Sequence, residues 1–264
     1  MEFEYCYGPV GSWRLGVSLG VDPVSRPEKI CDFNCVYCQI GSVVPLPPSR
    51  KNYISSRSLS AELEKMKAPA DYVTFSGRGE PTMASNLPGL LSAARKKRSE
   101  KMAIITNSSL LADKKVRDQI CSFDMVIAKL DAPKEELFRE INRPHPSISF
   151  DEMVKGLIIF SGMYRQGRLA IQTMFIEENR NCVEEMCSLY AKINPEEVQL
   201  NTPTRPCGRK PLDQADMSKI TSCVKNCLEG LGKGDIKVIS VYEEKRPHVI
   251  PLSADSTLKR RGKI

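Results

Sequence analysis

Short apolar runs alternate with amphipathic stretches along most of the chain. Trp13–Val21 reads as a strand leading into a loop from Asp22 to about Arg57, which carries a cysteine group and Pro45, Pro47 and Pro48. A helix follows, with Ser58 or Ser60 as its cap and Leu63 and Met66 on one face. Asp71–Ser76 is patterned as a buried strand ending in Gly77-Arg78-Gly79-Glu80-Pro81. Strands at Met102–Thr106, Met125–Leu130, Leu169–Ile176, Glu197–Asn201 and Lys237–Tyr242 then alternate with helices. The helices fall at Leu87–Arg98, Ala112–Ser122, Lys134–Ile141, Phe150–Tyr164, Cys182–Ile193 and Asp213–Leu231. Strand and helix in this order call for parallel strands joined by right-handed crossovers. Chemistry in such folds gathers at the C-terminal ends of the strands. Those ends deliver the cysteine loop, Gly77–Glu80, Thr106-Asn107-Ser108, Lys129-Leu130-Asp131, Glu177-Glu178-Asn179 and Asn201-Thr202-Pro203.

Composition narrows the picture. The 264 residues are 41% hydrophobic, enough for a full core, and no apolar run approaches the ~18 residues of a membrane span. Met1-Glu2-Phe3-Glu4-Tyr5 is acidic and aromatic where a signal peptide is basic and then apolar, which predicts a soluble, cytoplasmic protein without a membrane partner. Thiols there stay reduced, so the ten cysteines read as metal or redox chemistry rather than disulfides. The net charge is +7. It concentrates in Ala94–Lys101 and in the segment after Ser253, expected to be a solvated helix end and a frayed tail.

Cys31-Asp32-Phe33-Asn34-Cys35-Val36-Tyr37-Cys38 is a C-x3-C-x2-C run in a loop rich in polar residues and proline. Three thiolates can hold three irons of a cubane and leave the fourth open to a ligand. A structural zinc normally closes with four ligands, and here Cys6 or a histidine would have to fold back as the fourth. Only His145 and His248 are available for that.

With Tyr37 just before the third cysteine, this run resembles that of the radical S-adenosylmethionine (radical SAM) enzymes. The likeness extends over essentially the whole chain. Gly77-Arg78-Gly79-Glu80-Pro81 is similar to the Gly-Gly-Glu motif that holds the methionine amino group of the cofactor, although Arg78 stands where many members carry a small residue. Arg14-Leu15-Gly16-Val17-Ser18-Leu19-Gly20, Thr74-Phe75-Ser76-Gly77, Asn142-Arg143-Pro144 and Asn201-Thr202-Pro203-Thr204-Arg205-Pro206 resemble a group filed with the wyosine-synthesis branch of iron–sulfur oxidoreductases.

The resemblance implies an α/β fold, a partial (β/α)6 TIM-like barrel. Residues 1–245 would form the core with an N-terminal extension, and 246–264 a basic C-terminal tail. It implies a 4Fe-4S cluster on Cys31, Cys35 and Cys38, oxygen-sensitive and shielded by Phe33 and Tyr37, with the Tyr37 backbone against adenine. S-adenosylmethionine would sit on Gly77, Gly79 and Glu80, where glycine permits close approach and the carboxylate accepts from an ammonium. A low-potential donor of the ferredoxin or flavodoxin type would supply the electron that generates a 5′-deoxyadenosyl radical.

Further strand-end candidates divide between site and scaffold. Thr106 and Asn107 suit cofactor binding or a helix N-cap, and Asp131 suits the cofactor or a cap. Lys129 would bind substrate or form a Schiff base, but is expected to point outward; Gln172 and Asn201 would line the pocket. Cys182, Cys187, Cys207 and Cys223 or Cys227 could hold an auxiliary iron–sulfur cluster, though their spacing matches no compact motif. Cys6 and Cys121 read as structural, and His145 as a loop residue. The substrate is left among an RNA base, a peptide or protein, and a metabolite, with charge favouring RNA. Members of that branch that form wyosine carry a further cysteine trio before the radical cluster, where this chain has only Cys6. A non-catalytic electron carrier or redox sensor, and a zinc-stabilised nucleic-acid-binding module, are the alternatives.

Overall fold

Residues 2–262 are described in a computed structural model; Met1 at the acidic N-terminus, and Lys263 and Ile264 of the basic tail, lie outside the described residues. The chain opens with an antiparallel hairpin, β1 (Cys6–Ser12) and β2 (Gly16–Val21). It continues as α1 (Ser56–Leu63), β3 (Tyr72–Phe75), α2 (Leu87–Lys97), β4 (Lys101–Thr106), α3 (Lys114–Ile120) and β5 (Met125–Lys129). Then come α4 (Glu135–Asn142), α5 (Phe150–Met163), β6 (Arg168–Met174), α6 (Val183–Ile193), β7 (Glu197–Asn201), α7 (Gln214–Gly230), β8 (Lys237–Ser240) and α8 (Ala254–Arg261). The eight strands form one sheet in chain order, and every pair from β2 to β8 is parallel.

Strand alternation shows how the sheet curls. Val126 and Ala128 of β5 face the helices in the main core, whereas Met125 and Ile127 point the other way and meet Leu15, Ala103 and Ala170. Residues from β4, β5 and β6 thus fill one concave interior, with Leu15 of the hairpin turn as a plug. Trp13 of the same turn packs on Ile239 and on Val241, bringing the hairpin against the far edge of the sheet. The result is the expected partial barrel. Side-chain caps set helix starts: Ser55 accepts from Ser58 N, Ser149 from Glu152 N and Asp213 from Asp216 N.

Two expectations change. Trp13–Val21 is not one strand: Trp13–Leu15 form the turn, and Gly16 at φ +66° begins β2 with its missing Cβ leaving room for Asp71, whose Oδ2 accepts from Val17 N at 2.7 Å. Gly8, Pro9 and Gly11 dilute the apolar period of β1, which is why it escapes a pattern reading. The segment after Ser253 is not frayed either. Ser253 caps α8, Phe3 N donates to Ser256 Oγ at 3.0 Å, and Arg260 is buried against Asp22. Among the described residues, no helix is long and apolar enough to cross a membrane.

Candidate active site

The loop after β2 crosses the barrel mouth because its backbone is tied to the end of α4. Asn34 N donates to Asn142 O and Arg143 O at 3.1 Å, Val36 N to Ile141 O at 2.9 Å, and His145 N to Asp32 O at 2.8 Å. Phe33 stands edge-on to Phe138 with centroids 5.4 Å apart. Asn142-Arg143-Pro144 is therefore the seat of the cysteine loop, and His145 is a loop residue within it.

Held this way, Cys31, Cys35 and Cys38 line one cavity of about 300 Å3 at the strand ends. Burial pushes the Cys31 thiol up strongly and the Cys35 thiol up to about 11. Buried in this way, both thiols hold their protons more tightly than a free cysteine does. Lys29, missed in the sequence reading although it lies two residues before Cys31, puts Nζ 3.1 Å from Cys38 Sγ and 3.0 Å from Gly41 O. Asn142 Nδ2 approaches Cys35 Sγ at 3.5 Å.

The turn after β3 forms the opposite wall. A Cβ on Gly77 would lie 2.3 Å from Asp22 Cγ, and one on Gly79 would lie 1.7 Å from Ile30 O. What these glycines admit at close range is the chain's own cysteine loop, rather than a ligand alone as expected. Glu80 follows, 2% exposed. Its Oε1 accepts from Thr82 N at 2.9 Å, Thr82 Oγ1 at 2.5 Å and Thr106 Oγ1 at 2.6 Å, while Oε2 accepts only from Asn107 N at 2.6 Å. Burial, helped by nearby Asp32, raises this carboxyl to about 7 against the hydrogen bonds that lower it. Arg78 lines the same cavity, and its buried Nε has no partner among the described residues.

Thr106 closes β4 and Asn107 follows it. Both line the cavity and brace Glu80, while Asn107 Oδ1 accepts from Ser109 N at 3.0 Å as a turn cap. Lys129 also lines the cavity, against the outward orientation expected. It shares the parity of Met125 and Ile127, so alternation sends it into the barrel. Its Nζ lies 3.3 Å from Asp131 Oδ1 and 4.9 Å from the Tyr37 ring centroid. Asp131 stands behind that ring instead of on the cavity wall. It accepts from Tyr37 Oη, from Asn142 Nδ2 at 2.8 Å and from Met174 N at 2.8 Å.

Gln172 and Asn201 line an adjoining recess rather than the main cavity. With its amide oxygen toward the guanidinium, Gln172 accepts from Arg14 Nε at 2.8 Å. Arg14, Arg205 and Arg261 line both spaces and were missed as site residues. Their only signal is position, since Arg14 and Arg205 sit inside the motif segments quoted above.

Of the remaining cysteines, Cys187 and Cys227 meet side by side between α6 and α7. Cys187 is buried with its Sγ 3.9 Å from Val224 O between α6 and α7, Cys223 is exposed on α7, and Cys207 lies beside the cysteine loop. Cys6 is fully buried as expected of a structural thiol. Among the described residues, no three His, Cys, Asp or Glu side chains converge to hold a single metal ion.

Residues 27–190 match the model of the Radical SAM superfamily. A UPF0026 protein of Synechocystis sp. is 38% identical over 80% of this chain and 79% of the relative. A UPF0026 protein of Methanocaldococcus jannaschii is 34% identical over 90% and 75%. Among solved structures, Streptococcus suis SuiB bound to S-adenosylmethionine superposes with a TM-score of 0.63 at 16% identity, over 81% of this chain and 48% of SuiB. The chain thus spans about half the length of SuiB. TYW1 with a lysine-pyruvate adduct gives 0.60 at 16% identity, over 81% and 75%. The chain belongs to the radical SAM superfamily, as an S-adenosylmethionine-dependent enzyme.

Proposed function

We propose that Cys31, Cys35 and Cys38 hold a 4Fe-4S cluster whose open iron takes the amino and carboxylate groups of S-adenosylmethionine, and that the protein uses the resulting 5′-deoxyadenosyl radical to abstract hydrogen from a substrate in the barrel. The observation that carries this reading is the convergence of the three thiols and the Gly77–Glu80 turn on one cavity. The residues fit the group. Three cysteines around a shared space, not closing on one point, suit a cluster better than a lone zinc. The cavity also falls in the size range of cofactor sites.

When bound, the cluster supplies the electron that cleaves the sulfonium; the chain supplies placement and exclusion of water. Glu80 would accept an N–H of the cofactor amino group through Oε2, because Oε1 is already engaged three times. Arg78 offers its free guanidinium nitrogen to the carboxylate. Tyr37, locked by Asp131 and Asn142, presents its backbone to adenine. Lys129, engaged by Asp131, is placed to meet a polar substrate group instead of attacking a carbonyl. The electron comes from a ferredoxin- or flavodoxin-type donor. An RNA base is the substrate favoured by the basic charge, ahead of a peptide or metabolite.

Anaerobic reconstitution tests this reading. The expected protein carries about four irons and sulfides with absorption at about 400 nm, and forms 5′-deoxyadenosine from S-adenosylmethionine under strong reduction. Cys35→Ala abolishes both. A cluster-loaded protein that forms no 5′-deoxyadenosine is a carrier or sensor, and a zinc-loaded colourless protein is a binding module; either result overturns the proposal.

A further inference from the structure

The recess beside the main cavity has an unusual charge balance. It measures about 120 Å3 and lies where the β1–β2 hairpin faces β7 and the segment after β8. Arg14, Arg205, Arg246 and Arg261 all line it, and among the described residues no carboxylate does. None of the four makes a salt bridge among the described residues. Their contacts are neutral: Arg14 with the Gln172 amide and over Trp13 at 4.5 Å, Arg205 with the Arg261 carbonyl.

Such a cluster is costly. Burial, reinforced by mutual repulsion with Arg205, Arg246 and Arg261, lowers Arg14 to about 9; burial and the neighbouring Arg261 lower Arg205 to about 10. The four residues come from four separate places: the hairpin turn, the segment after β7, the segment after β8, and the end of α8. Glu197 acts on Arg14 in the opposite sense but is already paired with Arg168 at 3.6 Å and with Lys237 at 3.4 Å, so cations gathered from such distant parts of the chain leave a site whose missing component is an anion.

We infer that this recess binds a phosphoryl group of the substrate. Guanidinium pairs match phosphate oxygens bidentately, and four cations exceed what one carboxylate offsets. Gln172 and Asn201 add polar groups for the remaining oxygens. Arg14, Arg205 and Arg261 also line the cavity shared by Cys31, Cys35 and Cys38, so a ligand anchored by its phosphate extends toward the reaction space. The phosphate belongs either to a small phosphorylated molecule or to an RNA backbone. This inference rests on the radical SAM reading only for the word substrate; the anion site stands on the recess itself.

Trp13 provides the test. It is the only tryptophan of the chain, is 6% exposed, lines the recess and stacks on Arg14. Reconstituted protein would be titrated without reductant with pyrophosphate, a ribonucleoside 5′-monophosphate, a short RNA oligonucleotide and citrate. Trp13 emission would be followed, with calorimetry in parallel. Saturable binding of the phosphorylated probes is expected, weakened about tenfold or more in Arg205→Ala and in Arg246→Ala and largely kept in Arg246→Lys. Arg246 is exposed, so its replacement leaves folding intact. Tighter binding of the oligonucleotide, with steep loss between about 50 and 200 mM salt, assigns the phosphate to RNA. Equal or better binding of the mononucleotide assigns it to a small molecule. Absence of binding, binding indifferent to both alanine variants, or citrate binding as tightly as pyrophosphate overturns the inference. 5′-Deoxyadenosine formation by the same preparation reports on the radical reading separately.

Discussion

Glu80 has one oxygen crowded by three donors and the other nearly free, in a wall of the cavity where burial holds its carboxyl at about 7. Because the folded value lies above the ordinary carboxylate value of 4.5, this group favours folding below pH 4.5, and the advantage is lost as pH rises through 7. A shift of that size corresponds to roughly 3 kcal/mol. Glu80→Gln, which cannot ionise, is expected to flatten the fall in thermal midpoint of the cluster-free protein between pH 5 and 8. Parallel curves for the two proteins would refute it. Glu80 and the cysteines were legible in the sequence because their motif spacing is local. Asp131 was legible only as a polar strand end. Its partners Tyr37, Asn142 and Met174 come from three other parts of the chain, so no local pattern separates a residue that supports the Tyr37 ring from one that touches a ligand. Lys129 was read in the wrong direction for a related reason. Every residue of Met125–Ala128 is buried, and only packing tells the barrel interior from the helix-facing side.

At the scale of elements, the Gly77–Glu80 turn and the cysteine loop form one interlocked unit. Glu80 N donates to Ile30 O at 2.8 Å, and the bare Cα of Gly79 lies against that same carbonyl. Gly79→Ala would force a Cβ to within 1.7 Å of a backbone oxygen that cannot swing aside. The expected cost is about 3 kcal/mol or more, with reconstituted iron content falling alongside stability. Gly162→Ala makes the contrast. This glycine sits inside α5 with nothing within 4 Å of the new Cβ, and the substitution should stabilise by about 0.5–1 kcal/mol. Urea unfolding of the two variants checks both signs; a tolerated Gly79→Ala would show that the turn and loop are not locked. Helices and parallel strands were legible because their apolar period is strong. The hairpin was hidden where Gly8, Pro9 and Gly11 interrupt β1, and α8 was hidden because its polar sequence is held by specific bonds rather than by an apolar face.

Across the whole molecule, α8 connects the hairpin to the site. Leu252 N donates to Gly8 O at 2.8 Å, and Gly8 N donates to Thr257 Oγ1 at 3.1 Å. Arg261 then reaches the arginine recess. Arg260 turns inward and bonds the carbonyls of Phe3 and Glu4, with its Nε 3.4 Å from Asp22 Oδ2. Asp22 in turn accepts from Arg78 N at 3.2 Å and fills the space left by Gly77. A basic helix expected to be a loose tail thus contacts a carboxylate directly behind the Gly77–Glu80 turn. Both partners are buried, so removing one strands the other. Burial outweighs Arg260 and holds Asp22 at about 6, above the ordinary aspartate value of 3.8, so the ion pair is complete at pH 8 and largely protonated away at pH 5. Arg260→Met should therefore cost about 3–5 kcal/mol at pH 8, the usual loss on breaking a buried pair, and clearly less at pH 5. Urea unfolding at the two pH values, with hydrogen exchange of the amides across 254–261, reads both the energy and its location. Equal losses at both pH values would mean that Arg260 acts through its carbonyl contacts alone, leaving α8 coupled to the hairpin but not to Asp22 behind the Gly77–Glu80 turn.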